Sequence, residues 1–451
     1  MATVPPDTQP KLHGAPSRKT SPAEPATLCL AGGTYVEFCD EPHWDQLFGS
    51  GLRAAAAVGS LGCDVIFSTY VGADHADDLD VYADTFGIQT RKELIERTIR
   101  FAYSHPLARP EITPPLHLLR QATPLTVEGK AVLRFGMLEG TAVVTGGRVV
   151  YDPQSTYDPV PFDANGSCAE ELAVVANRWE AEQLTGESTV EAMGRALLDW
   201  RGGTVAIIKR GARGLSVFVR DTGGEIIERS LPAYETRQVW PIGSGDVFSS
   251  VFAHWWAVKC VDPFAAAEHA SRATACYCGS RQLQVLEAPY DALGYELKPL
   301  RPELDGNRPL VYLAGPFFTT AQRWLVREAR GALFGQGVQV FSPFHDVGLG
   351  AAEEVISQDI NALDRCQAVL ALIDGADTGT VFEVGYARAK NIPVIALAEG
   401  EAEEPLKMLH GTGCEVQADF TTAVYRAAWA AARAIPTSAE PRPHATGNAS
   451  S

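Results

Sequence analysis

Two short stretches of the 451-residue chain gather residue types able to make and break bonds. In DGADTGTVFEVGYA, residues 374–387, Asp374, Asp377 and Glu383 crowd a loop that follows the apolar run ending at Ile373. Carboxylates that converge raise one another's pKa, so one can stay protonated while another ionises. That division suits paired nucleophilic and general-acid work at one centre. The spacing Thr380-x-x-Glu383 also fits a capping box, with Glu383 expected in the first helical turn and tying down a backbone N–H. In PIGSGDVFSSVF, residues 241–252, Gly243, Ser244, Gly245 and Asp246 precede an apolar helical pattern. Such glycines let N–H groups converge at a helix start, a cradle for phosphate charge. Asp246 there could take a proton from an attacking hydroxyl, although Asp also favours a first turn for dipole reasons alone.

Placing these residues requires strands that end in loops. Apolar β-like runs (TLCLAGG, CDVIFSTYVG, TAVVTGGRVVYD, LAVVAN, TVAIIKRG) alternate with helical patterns up to about residue 290. A stretch with three prolines, YDALGYELKPLRPELDGNRPL, interrupts the alternation. It restarts with PLVYLAG, a helix through Trp324, Leu325, Ala329 and Leu333, then VQVFSP, QAVLALID and IPVIALA with helices between. Buried strands alternating with amphipathic helices predict parallel sheets covered on both faces, with ligands at the carboxyl ends of the strands. The expected organisation is a polar tail over 1–26, a first domain over 27–290, a linker over 291–307, a second domain over 308–435 and a polar tail over 436–451.

Composition limits the partners. With 46% hydrophobic residues there is material for more than one core. Acidic residues outnumber basic ones 55 to 38, a net charge of −17 that disfavours polymeric nucleic acid and anionic membranes. The first 26 residues lack a signal-peptide core and no apolar run spans a bilayer, so a cytoplasmic location is expected. The nine scattered cysteines, Cys276 and Cys278 included, read as free thiols.

The second domain resembles the nucleoside 2-deoxyribosyltransferases in YLAGPFF (Tyr312 to Phe318), Asp359 in SQDINAL, Asp377-x-Gly-x-x-x-Glu383 and the following Gly-Tyr-Ala. The resemblance implies Glu383 as the nucleophile at the anomeric carbon. It implies Asp377 and Asp359 as groups that hold and protonate the base, with Tyr312 beside the nucleophile and Phe317 against the base. It implies no cofactor. Related nucleoside-monophosphate N-glycosidases tend to carry a phosphate-binding Ser where Asp377 stands, so Asp377 points to nucleosides. In the family a neighbouring subunit completes the site partly from the chain end; the polar tail here does not carry that over. His345 and Asp346 are further loop candidates.

The first domain resembles PfkB/ribokinase-like kinases in GSGLRAAAAVGSLGCDVIFSTYVGAD (49–74), VVYDPQ (149–154), Asn177-x-x-Glu180, Lys209-Arg210-Gly211 with Gly214, and the Gly-Ser-Gly-Asp. This implies Asp246 as catalytic base, Gly243, Ser244 and Gly245 as anion hole, Gly211 and Gly214 beside the nucleotide, and Asn177 and Glu180 organising Mg through water, with ATP as donor. The departures lie in the acceptor pocket. Trp240-Pro241 replace an Asp-Thr, Arg53 stands where an Asn is expected, and Glu37 where most relatives have Asp. Arg53 would suit an anionic ligand. Together the resemblances predict two three-layer α/β/α domains, ribokinase-like then Rossmann/flavodoxin-like, in a homo-oligomer acting on nucleosides, nucleobases or sugars. The function expected is a bifunctional kinase and glycosyl-transferring enzyme. The alternatives are a kinase-like half reduced to a ligand-binding module, or a nucleotide sensor without turnover.

Overall fold

A computed structural model describes residues 27–155, 157–285, 297–300, 308–348, 352–375 and 377–435. The predicted tails and most of the predicted linker lie outside the described residues.

The first half is built on a nine-stranded sheet. Its spatial order is Ile226–Leu231, Leu215–Arg220, Gly203–Lys209, Cys168–Asn177, Ala142–Asp152, Leu125–Phe135, Thr27–Ala31, Asp64–Gly72 and Ile88–Ile95. Seven of these strands are parallel to their neighbours, as the apolar runs predict. The last two before residue 232 form an antiparallel hairpin that closes one edge. Both faces are covered. Leu28 and Leu30 pack with helices Gly49–Gly59, Ser244–Ala253 and Pro263–Ser280, while Cys29 and Ala31 pack with the helices around Ala181 and Met193 on the other face. A four-stranded sheet of Trp44–Leu47, Val36–Cys39, Arg100–Tyr103 and Glu111–Thr113 stands apart. Periodicity does not reveal it, because its strands are only three or four residues long and largely half-buried or exposed.

The second half carries five parallel strands in the order Gln339–Phe341, Leu310–Ala314, Ala368–Leu372, Val394–Leu397 and Glu415–Gln417. In chain order these are second, first, third, fourth and fifth, the flavodoxin-like arrangement with a switch point between the first and third. The connections there leave on opposite faces and open a crevice. The two halves share a core: Ala212, Val239 and Leu300 of the first pack into the cluster formed by Leu313, Leu333, Val424 and Trp429 of the second. Lys298–Pro299, inside the stretch predicted as linker, pairs with Tyr234–Glu235.

Candidate active sites

The crevice of the second half holds the carboxylates. Tyr312, buried on strand Leu310–Ala314, donates its hydroxyl to Glu383 Oε1 at 2.6 Å. Glu383 lies on helix Thr378–Ala389, entered from the neighbouring strand Ala368–Leu372. The capping-box reading is corrected. Asp377 is the N-cap, its Oδ2 accepting from Thr380 N at 2.9 Å and from Thr380 Oγ1 at 3.1 Å. A carboxylate on the last non-helical residue reaches the third helical N–H. Thr380 therefore lies inside the first helical turn, and Glu383 in the second. Burial pushes the Glu383 carboxyl up to about 7; the Tyr312 hydrogen bond opposes this, and the charges of Asp359 and Asp377 add to it. Asp359, on helix Ala352–Arg365, is pushed up to about 6 by burial, and its buried Oδ1 has no hydrogen-bond partner among the described residues. Glu383, Tyr312, Asp359 and Asp377 thus share one electrostatic site. Phe317 joins an aromatic group, its ring centroid 5.4 Å from Phe318 and 5.4 Å from Phe344. His345 and Asp346 brace their own turn: Asp346 accepts from Ser342 N at 2.7 Å, and His345 Nδ1 lies 3.1 Å from Ser342 Oγ.

The carboxyl edge of the first sheet forms the other site. Gly243, with φ of 80°, precedes helix Ser244–Ala253, and Asp246 sits in its first turn, 5% exposed. Arg53, 1% exposed on helix Gly49–Gly59, donates from Nη1 to Asp246 Oδ2 at 2.9 Å and to Glu37 Oε1 at 2.8 Å. Its Nη2 pairs with Glu37 Oε2. Gln154 Nε2 donates to the other Asp246 oxygen, Oδ1. Burial pushes the Asp246 carboxyl up, and Arg53 and Gln154 oppose it. Arg53, expected to suit an anionic ligand, is here paired with two buried carboxylates of the chain itself. Asn177 and Glu180 form a reciprocal cap, Glu180 N donating to Asn177 Oδ1 at 2.9 Å and Asn177 N to Glu180 Oε2 at 2.8 Å. Burial, then the charge of Asp152, push Glu180 up to about 7, with Lys209 opposing. Gly211 and Gly214 take φ of 59° and 80°, and a Cβ on Gly214 would lie 2.2 Å from the Leu231 carbonyl oxygen.

Four further residues complete this edge; all lie inside the stretches quoted above, but none was given a role of its own there. Lys209 Nζ donates to Asp152 Oδ2 at 2.8 Å, Ser249 Oγ donates to the same oxygen at 2.7 Å, and Gln154 holds Asp246. A signal was present: Asp152, Asn177 and Lys209 each end one of three adjacent apolar strands. One cavity of about 790 Å³ joins Glu37, Arg53, Asp246, Lys209, Gly211 and Gly214.

Residues 311–419 match the family described as nucleoside 2-deoxyribosyltransferase, and residues 156–287 match the pfkB family carbohydrate kinases. The chain joins a PfkB domain to a nucleoside 2-deoxyribosyltransferase domain. No curated protein matches it. Among solved structures it is similar to a fructokinase from Vibrio cholerae O395 in fructose, ADP and calcium ion bound form (14% identity, 60% of this chain, 99% of that one, TM-score 0.44). It is likewise similar to an Arabidopsis thaliana ribokinase complexed with ribose and ATP (18% identity, 60% and 98%, TM-score 0.41). No helix among the described residues is long and apolar enough to cross a membrane.

The PfkB domain's own residues fit a magnesium–nucleotide ligand. Among the described residues no cluster of three or more His, Cys, Asp or Glu forms a cage. Magnesium, however, takes one or two carboxylates and fills its other positions with water and phosphate oxygens. Glu180 and Asp152, whose buried Oδ1 has no partner among the described residues, border the cavity and could supply that donor set. Lys209 Nζ would lie 3.3 Å from a Cβ on Gly245, against the glycine cradle where phosphate charge would gather. In the deoxyribosyltransferase domain, Tyr312 orients the carboxylate that its helix brings to the crevice.

Proposed function

We propose that the deoxyribosyltransferase domain cleaves the N-glycosidic bond of a nucleoside through Glu383. The observation that carries this is the Tyr312–Glu383 hydrogen bond, made in a crevice whose charge Asp359 and Asp377 share. An ionised Glu383 oxygen bonds to the anomeric carbon as the C–N bond breaks, and the electron pair leaves with the base. Protonated Asp359 supplies the proton that makes the base a competent leaving group. A second nucleobase then takes the sugar from Glu383 in transfer, or water does in hydrolysis. Asp377, a carboxylate at the helix start, repels a 5′-phosphate there and supports nucleosides over their monophosphates. Incubating the chain with deoxynucleosides, ribonucleosides and their monophosphates tests the reading. Free base should appear from a nucleoside and vanish with Glu383→Ala; no base from any of them defeats it.

In the PfkB domain the reading is ATP-dependent phosphorylation of a sugar- or nucleoside-like hydroxyl, with Asp246 as base. Glu180, Asn177 and Asp152 would hold magnesium, partly through water. Bound magnesium and the glycine cradle would neutralise charge on the phosphoryl group. One observation favours a second reading: Arg53 and Gln154 engage both oxygens of Asp246, the arrangement of a module that binds ligand without turnover. ATP consumption that persists unchanged in Asp246→Ala removes the first reading. Self-association belongs to both and is read by sedimentation.

A further inference from the structure

We propose that the deoxyribosyltransferase domain builds part of the nucleotide site of the PfkB domain, with Tyr425 and Trp429 forming a wall for the base of a nucleoside polyphosphate. The inference rests on the nucleotide reading of the first cavity and adds residues from outside the PfkB fold.

Both aromatic residues lie on helix Phe420–Arg433, and both line the cavity that contains Asp246, Lys209 and the glycine turn. Their rings meet at 5.5 Å and 65°. Trp429 Nε1 donates to the Ala212 carbonyl at 3.2 Å, and Ala212 N donates to Gln336 Oε1 at 3.3 Å. The middle of the Gly211–Gly214 turn is therefore held through both its backbone groups by the other domain. Val239 N, also at the cavity, donates to Thr422 Oγ1 at 3.0 Å. The helix is anchored by ion pairs from Arg426 and Arg433 to Glu235. Ala212 and Ala233, which share a hydrophobic cluster with Tyr425 and Trp429, line the same cavity, as does Ala275. Small apolar walls together with a fixed aromatic edge suit a planar ring, and stacking on such a ring is tolerant of base identity. The phosphates would extend toward Lys209 and the cradle.

The test uses the full chain, with Mg·ADP and Mg·pyrophosphate as probes in titration calorimetry. Pyrophosphate carries the anion without the base. Tyr425→Ala should weaken Mg·ADP roughly 5- to 150-fold, the loss expected for one stacked base, and change pyrophosphate affinity less than about 2-fold; Tyr425→Phe should retain Mg·ADP binding. Unchanged Mg·ADP affinity in Tyr425→Ala overturns the proposal while leaving the nucleotide reading intact. Equal loss of both probes also overturns it, since Tyr425 would then support the turn and not the base. A wild-type chain that binds pyrophosphate but not ADP overturns it too, and one that binds neither removes the nucleotide reading with it.

Discussion

Replacing Tyr312 with Phe deletes one hydrogen bond to Glu383 and leaves the ring in place. Glu383 must be ionised to attack and Asp359 protonated to donate, yet their carboxyls are pushed to about 7 and about 6 respectively. The reactive pair is thus the minor form: at pH 6.5 about 0.24 of each group is in the required state, and both together in about 6% of molecules. A rate proportional to that fraction rises up to about pH 6, is level to about pH 7, then falls, and these breaks are properties of the coupled pair. In this reversed order the alkaline break follows Glu383. A hydrogen bond to a charged group contributes about 1.5–3 kcal/mol, or roughly 1–2 pKa units. Tyr312→Phe should therefore carry Glu383 to about 8–9, move the alkaline break by the same amount and lower the plateau roughly 7- to 60-fold. The acid break should stay near 6. The assay is kcat/KM for base release across pH 5–10. An alkaline break that stays at about 7, or an acid break that moves instead, refutes the assignment of Tyr312 and the two carboxylates.

Arg53→Leu strands Glu37 and Asp246 as buried charges, so the urea midpoint should fall by the equivalent of about 3–5 kcal/mol. The triple change with Glu37→Gln and Asp246→Asn should recover most of it, and an Arg53→Leu midpoint equal to wild type contradicts the ion-pair cluster. Glu139, pushed by burial up to about 7, accepts from Tyr35 at 2.8 Å. Its folded pKa lies above its unfolded value, so the folded state keeps a proton that the unfolded state has lost, and stability falls as pH rises from about 4.5 to 7. Glu139→Gln should therefore raise the melting temperature at pH 8, by roughly 2–3 kcal/mol of stability, and change it little at pH 4.5; equal shifts at both pH values count against a raised Glu139. Glu235→Ala leaves Arg426 and Arg433 without their shared partner across the two halves. It should cost about 1.5–3 kcal/mol and split one calorimetric transition into two, and a single unshifted transition speaks against a coupled interface.

The strands that carry both sites were visible because they are buried on two faces and read as continuous apolar runs, as in Ala368–Leu372, buried throughout. The four-stranded sheet was not, since strands such as Glu111–Thr113 are too short and too exposed to show a period. Candidate residues were found where chemistry leaves a local mark, as with Asp377 and Glu383 on one short stretch of chain. Contacts between distant partners left none, even where one partner lay in a quoted stretch. Gln154 meets Asp246 from 92 positions away, and Trp429 meets Ala212 from 217. The cap is hidden for a related reason: Thr380-x-x-Glu383 has capping spacing, but Asp377 is also a strong cap three residues earlier, and spacing cannot rank two candidates.

The glycine cradle shows why such a motif identifies a fold before it identifies an activity. A Cβ at position 243 would lie 2.2 Å from Arg53 Nε, and φ there is 80°. Gly243 is therefore required by the packing of Arg53 and by the left-handed backbone, whether or not phosphate is ever held nearby. Asp246 is similarly satisfied without a substrate, because Arg53 and Gln154 take one oxygen each. Glu37 and Arg53, two of the departures in the acceptor pocket, explain each other: an Arg buried at 1% exposure needs a carboxylate, and Glu37 reaches both of its terminal nitrogens. For a hydroxyl to reach Asp246, the acceptor would have to displace Gln154 or use the remaining lone pairs beside the guanidinium. An acceptor taking the first route has to replace the hydrogen bond Gln154 makes with groups of its own, which favours polyhydroxylated ligands over apolar ones.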